Sequence, residues 1–215
     1  MREPELRQAV IATARTMSQR GLSPGRSGNV SCRWGTGVLI TPSGMAYDQI
    51  EPADVVEMAA DGAVASKSRK PSSEWRFHLS AYKQRPDMQA IVHTHSMHAT
   101  VLACAHKSIP AFHYMVAAAG GRDIPLVPYA TFGTDALSQH VATGLASRNA
   151  CLMANHGQIA MGVTLDAALE LAADVEVLAE QYWKVLTLGK AHVLPDAEMD
   201  LVIEKFKSYG QKAQA

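Results

Sequence analysis

The chain has 215 residues, 47% hydrophobic and 19% charged, with twenty basic residues against twenty acidic ones for a formal net charge of zero. Such a composition belongs to a folded globular chain and excludes a disordered one, and it lacks the basic excess of a broad nucleic-acid footprint. No apolar run approaches the roughly 18 residues needed to span a membrane. The opening MREPELRQAV has charges but no apolar core after them, so no secretory signal is expected. Cys32, Cys104 and Cys151 are far apart and form no CxxC pair, which reads as free thiols in a reducing, cytoplasmic setting.

Segment 4–20 reads as a helix: Pro4 suits its first turn, Leu6, Val10, Ala14 and Met17 share one face, and Gly21 can end it. A Gly- and Ser-rich loop at 22–28 leads to strand-like runs at Asn29–Trp34, Gly37–Thr41, Val55–Ala59 and, after an Asp61-Gly62 turn, Ala63–Ser66. Segment 72–85 reads as a helix stopped by Pro86, Ala90–His95 as a buried strand, and Ser96–Lys107 as a helix. Residues 108–133 carry three prolines and three glycines and read as one long irregular stretch, which inside a domain is usually functional. Thr134–Arg148 is a helix, and Cys151–Ala154 and Gln158–Met161 are strands flanking a turn. Thr164 caps a helix over 165–188, and Pro195 begins a last helix running to Ser208. The order predicts one α/β domain over 1–215, with helices on both faces of a mixed sheet.

The central signal is Ile91-Val92-His93-Thr94-His95. Strand side chains two apart project from one face, so His93 and His95 present two imidazoles to one point. Histidines at the end of an apolar run need something to satisfy them, and neutral imidazole is a good ligand for zinc and its neighbours. His156, in a tight Asn155-His156-Gly157 turn between two strands, is the third candidate. Three histidines leave an open position, as a catalytic zinc requires. His98 is a competing ligand. His78, His106, His113, His140 and His192 show no partner pattern.

Pro71-Ser72-Ser73-Glu74-Trp75 opens a helix, where free N–H groups and the helix dipole make an anion site for Ser72 and Ser73. Glu74, in the same first turn, is either a plain cap or a metal ligand or base. Gly28-Asn29 and Ser43-Gly44 are turns that could close on the same anion, and Arg26 is near enough in sequence to add a charge.

These strings together resemble the class II aldolase family, of the L-fuculose-1-phosphate aldolase and L-ribulose-5-phosphate 4-epimerase type, most closely its fuculose-phosphate branch. The resemblance rests on GNVS at 28–31, ITPSG at 40–44, PSSEWRFH at 71–78, the His-x-His pair, HYMVAAAGG at 113–121, PYATFGT at 128–134, NHG at 155–157 and EKFKSYG at 204–210. It implies a three-layer α/β/α sandwich and a fourfold-symmetric homotetramer with active sites between subunits. It implies Zn2+, or another divalent ion such as Mn2+ or Co2+, on His93, His95 and His156 with Glu74 as fourth ligand or base. It places a substrate phosphate at Gly28, Asn29, Ser43, Gly44, Ser72 and Ser73, and puts Tyr114, Phe132 and Tyr209 near the aldehyde. The implied reaction is reversible cleavage of a ketose 1-phosphate. Enzymes for 5-deoxy- or 5-methylthio-pentulose 1-phosphates, an epimerase, a dehydratase or a decarboxylase share the scaffold, and a non-catalytic zinc module is the remote alternative. The chain departs from the family pattern at Arg26-Ser27 and Asn155.

Overall fold

The computed structural model describes residues 2–207. Helix α1 spans Glu3–Gln19 and buries Val10, Ala14 and Met17. Strands β1 (Asn29–Trp34) and β2 (Gly37–Ile40) form a hairpin, and β3 (Val56–Met58) pairs with β2. Helix α2 spans Trp75–Gln84, β4 spans Ala90–Thr94 and α3 spans Met97–Cys104. After a short 3-10 segment at Tyr114–Ala119 come β5 (Leu126–Val127), α4 (Asp135–Leu145), β6 (Ala150–Met153), β7 (Gly157–Gly162), α5 (Leu165–Leu188) and α6 (Asp196–Phe206).

The strands form one sheet in the order β3-β2-β1-β4-β7-β6-β5, antiparallel except where β5 meets β6. Strand periodicity divides its side chains between two cores. Val30, Cys32, Ala90, Val92, Leu152 and Ala160 pack toward α1, α3, α5 and α6. Ile91, Cys151, Met153, Ile159 and Met161 pack toward α2 and α4, around Phe77 and Val141. Burying Phe77 fully is worth about 1.5–3 kcal/mol. The α/β/α sandwich with a mixed sheet is as expected. No helix among the described residues is long and apolar enough to cross a membrane.

Several local expectations need correction. Ala63–Ser66 is not a strand. The Asp61 carboxylate accepts from Ala63 N at 2.9 Å and the chain turns again at Ser68, leaving only an isolated Met58–Val64 bridge. The stretch 108–133 hides β5, a two-residue parallel edge strand between Pro125 and Pro128, too short to carry a periodic signal. Helix α2 begins at Trp75 and not at Ser72. The last helix ends at Phe206, and the expected end at Ser208 lies outside the described residues.

Cys32 and Cys151 are buried and Cys104 is exposed. Burial pushes both buried thiols up to about 12, and only the thiolate reacts quickly. Mass spectrometry after brief alkylation of the native protein is expected to find Cys104 modified and the other two protected until denaturant is added.

Candidate metal centre and adjoining cavity

Strand β4 lies between β1 and β7, and this register assembles the centre. Asn29 on β1 stands opposite His93, and Ile159 on β7 stands opposite it on the other side. His93 and Ile91 face α2, where Phe77 meets the His93 ring edge-on at 5.3 Å between centroids. His95 follows one residue past the strand end and keeps the same facing. His156 comes from the β6–β7 turn. There Asn155 takes a left-handed backbone, φ 54°, which asparagine tolerates better than most residues. That turn is tied down by Asn155 N donating to Ala103 O and by the His106 ring meeting Asn155 Oδ1 at 2.7 Å. Gly157 is needed at the next position: a Cβ there would lie 2.4 Å from the Thr94 carbonyl oxygen and 3.2 Å from the His95 ring.

Glu74 precedes α2 at its N-cap but makes no side-chain cap to the helix. Its carboxylate instead reaches His93 Nε2 at 3.1 Å through Oε2 and His156 Nε2 at 3.0 Å through Oε1. His93 Nε2 and His95 Nε2 are 3.0 Å apart. All four donor atoms lie within 4.8 Å of one another, and His93 is fully buried while Glu74 is 7% exposed. His93 Nδ1 meets the Gln158 carbonyl oxygen at 2.7 Å. A carbonyl oxygen can only accept, so Nδ1 carries the proton and Nε2 keeps its lone pair for a ligand.

The electrostatics agree with a cation site. Burial, followed by the neighbouring His93 and His156, pushes His95 down to about 3, so its ring is neutral. Burial alone would raise the Glu74 carboxyl, but positive charge at the His93 and His156 positions outweighs it and holds the group well below the carboxylate range. Apart from the His156 Nε2 contact at 3.0 Å, which falls short of hydrogen-bond geometry, Glu74 Oε1 meets no donor, and an orphaned buried carboxylate oxygen is costly. Three imidazole nitrogens and one carboxylate oxygen are a donor set that fits zinc or a similar divalent ion. His98, the competing ligand, is elsewhere: its Nδ1 meets Glu176 Oε1 at 2.8 Å, and Glu176 accepts from the His98 and Ala99 N–H groups at the start of α3.

The centre opens into a cavity of about 320 Å³, whose lining includes Gly28, Asn29, Ser43, Gly44, Ser72, Ser73, Glu74, His95, His156 and Phe132. The structure thus gathers the expected anion-binding residues on one cavity with the metal cluster. Two backbone hydrogen bonds zip the 42–44 and 71–73 loops together: Ser43 N to Lys70 O at 2.9 Å and Ser72 N to Thr41 O at 3.0 Å. The Ser72 N–H, which the helix-start expectation offered to an anion, is therefore engaged within the protein. Ser72 Oγ also accepts from Glu74 N at 3.3 Å. Gly28 is required where its loop crosses β4, because a Cβ would meet Ser23 Oγ at 2.4 Å and the His93 carbonyl oxygen at 2.6 Å. Arg26 lines the same cavity and donates to the Gly44 carbonyl oxygen at 3.0 Å, bridging the two loops.

One expected residue is not brought in. Tyr114 is 51% exposed, stacked on His113, and does not line this cavity. Tyr209 lies outside the described residues. Phe132 sits on the cavity wall, 65% exposed. One residue packed behind the site was missed in the sequence: His78, fully buried beside Asn29. Its four-residue spacing from Glu74 was the available signal.

The chain matches the model of the Class II Aldolase and Adducin N-terminal domain family over residues 8–183. A 5-methylthioribulose-1-phosphate/5-deoxyribulose-1-phosphate aldolase of Rhodospirillum rubrum is 52% identical over 209 residues, covering 97% of this chain and 94% of that protein. An L-fuculose phosphate aldolase of Escherichia coli (strain K12) is 46% identical over 215 residues, with both chains covered in full. Among solved structures, an L-fuculose 1-phosphate aldolase superposes with a TM-score of 0.91 at 40% identity, covering 94% of this chain and 96% of that one.

Replacing Gly157 by alanine forces β7 away from Thr94. Overpacking of this kind costs about 1–3 kcal/mol. The expected result is a lower melting temperature together with weaker divalent-ion binding, measured by thermal denaturation and by competition with a chromophoric chelator.

Proposed function

Because this chain belongs to the class II aldolase family, we propose that it cleaves a ketose 1-phosphate reversibly to dihydroxyacetone phosphate and an aldehyde, with Zn2+ held by Glu74, His93, His95 and His156. The observation that carries this is the shared cavity, where the four-donor cluster and the serine- and glycine-lined loops meet. When bound, the ion supplies Lewis-acid polarisation of the substrate ketone and stabilises the electron pair left beside it.

The chain's own groups do the rest. Gly28, Asn29, Ser43, Gly44, Ser72 and Ser73 hold the phosphate, a group remote from the chemistry whose binding orients the reacting carbons. Arg26 is the one arginine or lysine in the cavity lining among the described residues and adds the fixed positive charge that a phosphate dianion favours. In the condensation direction, the Glu74 carboxylate removes the C–H proton next to the ketone of dihydroxyacetone phosphate. The carbon so freed forms the new bond to the aldehyde carbon, and Tyr114 gives its proton to the resulting alkoxide. Solvent then takes the proton from Glu74 and restores that of Tyr114. Cleavage is the reverse. Since Tyr114 does not line the cavity of its own chain, it acts in a neighbouring subunit of a cytoplasmic homotetramer. The exposed apolar side chains Met97 and Val101 on α3 suit such packing. Phe132 and Tyr209 enclose the aldehyde.

A second substrate reading has a specific basis. Tyr129, Ala130 and Phe132 line the cavity, and an apolar wall suits a 5-deoxy- or 5-methylthio-pentulose 1-phosphate as well as the L-fuculose compound. Telling these apart is worth only about 1–3 kcal/mol.

Purified protein supplied with zinc and dihydroxyacetone phosphate is expected to consume lactaldehyde, acetaldehyde or methylthioacetaldehyde, with the fastest naming the substrate. A chelator is expected to stop the reaction and zinc to restore it. Absence of product with every aldehyde removes the proposal, and so does full activity in chelator. Glu74→Gln is expected to slow solvent hydrogen exchange into dihydroxyacetone phosphate by about 10²–10⁴-fold, the usual scale for a lost general base. Exchange at the unmodified rate would assign the base elsewhere.

A further inference from the structure

Helix and strand periodicity interlock behind Glu74. Glu74, His78 and Tyr82 are four residues apart, on one side of α2, while Asn29 and Ser31 are two apart on one face of β1. They form a single hydrogen-bonded line. Tyr82 Oη and Ser31 Oγ are 2.9 Å apart, Ser31 Oγ and His78 Nδ1 2.7 Å, His78 Nε2 and Asn29 Oδ1 2.5 Å, and Asn29 Nδ2 and Glu74 Oε2 2.9 Å. Ser31, His78, Asn29 and Glu74 are all buried.

We propose that His78 is a positioning residue for Glu74: it fixes which end of the Asn29 amide faces the carboxylate and so which carboxylate oxygen stays free. The inference rests on Glu74 serving as metal ligand and base. Its logic starts at the carboxylate, which can only accept. Asn29 must therefore turn its NH2 to Oε2, leaving its carbonyl oxygen toward His78. That oxygen also only accepts, so His78 carries its proton on Nε2. His78 Nδ1 then accepts a hydrogen bond from the Ser31 hydroxyl, and the Tyr82 hydroxyl has the Ser31 carbonyl oxygen at 3.1 Å. The opposite polarity would set the Asn29 carbonyl oxygen against a carboxylate oxygen at the Glu74 end. The outcome is asymmetric: Oε2 is occupied by the Asn29 N–H donor, while Oε1 has only the ligand nitrogen of His156 beside it and is left for the ion and the moving proton. His78 and His93, on adjacent elements, thus hold opposite tautomers.

Two measurements test this, and neither relies on turnover alone. Nitrogen-15 spectra of ring-labelled histidine in the wild-type metal-free protein should show His78 as Nε2–H and His93 as Nδ1–H. A Nδ1–H tautomer at His78 overturns the proposal. His78→Asn, too short to reach Asn29, should lose about 10–100-fold in zinc affinity and in kcat, the usual cost of removing such a supporting contact, with KM little changed. His78→Gln, whose amide nitrogen can take the place of Nε2, should recover most of both. Ser31→Ala is the milder second variant if His78→Asn does not fold, and should weaken zinc binding in the same direction. If the variants lower only the melting temperature and bind zinc as wild type does, His78 is a packing residue and the proposal fails. If the wild-type protein shows no aldol activity, the functional proposal fails instead, while the zinc affinities and tautomers still decide the role of His78.

Discussion

Four Lewis-basic atoms from Glu74, His93, His95 and His156 are held within 4.8 Å of one another at the buried end of a cavity, and their mutual repulsion needs a cation to offset it. Much of the surrounding structure holds them in place. The β1–β4–β7 register sets Asn29 and Ile159 on either side of His93. The Gln158 carbonyl fixes the His93 tautomer. The left-handed Asn155 and the crowded Gly157 present His156. A stable protein would not keep such a cluster for its own sake, because a buried carboxylate oxygen without a donor is a net cost to folding. That cost is the physical reason for reading the cluster as a binding site.

The second element of the site is built more cheaply. The two loops proposed to hold the phosphate are joined by a two-rung ladder of backbone hydrogen bonds around the Pro42–Pro71 bridge. Neither proline has an N–H to donate, so the rungs fall on Ser43 and Ser72. The ladder holds the spacing of the loops without engaging their serine hydroxyls.

Much of this was legible in the sequence, and the reasons differ residue by residue. His93 and His95 were visible because a strand's two-residue period is local. His156 was visible because a three-residue turn with Asn and Gly has few conformations. The sandwich followed from the alternation of apolar runs. Glu74 was ambiguous, since a first-turn acid and a metal ligand look alike until the fold brings the histidines to it. His78 was missed because its partners, Asn29 and Ser31, lie 49 and 47 residues away, and only strand register brings them near. The free N–H groups expected at Ser72 were wrong for a related reason: Thr41 claims that donor across a non-local contact. Strand β5 escaped because two residues carry no period. Tyr114 and Tyr209 had no local signal at all and came only through the family resemblance.

Ser72, Ser73 and Glu74 are consecutive in the chain, and the last of them leads directly into α2. Whatever grips the serines therefore grips a short rigid lever whose next residue is the carboxylate. A substrate shorn of its phosphate would leave that lever without a load. On the proposed roles its deficit would appear in turnover as well as in affinity, because phosphate recognition and proton transfer would share one piece of backbone.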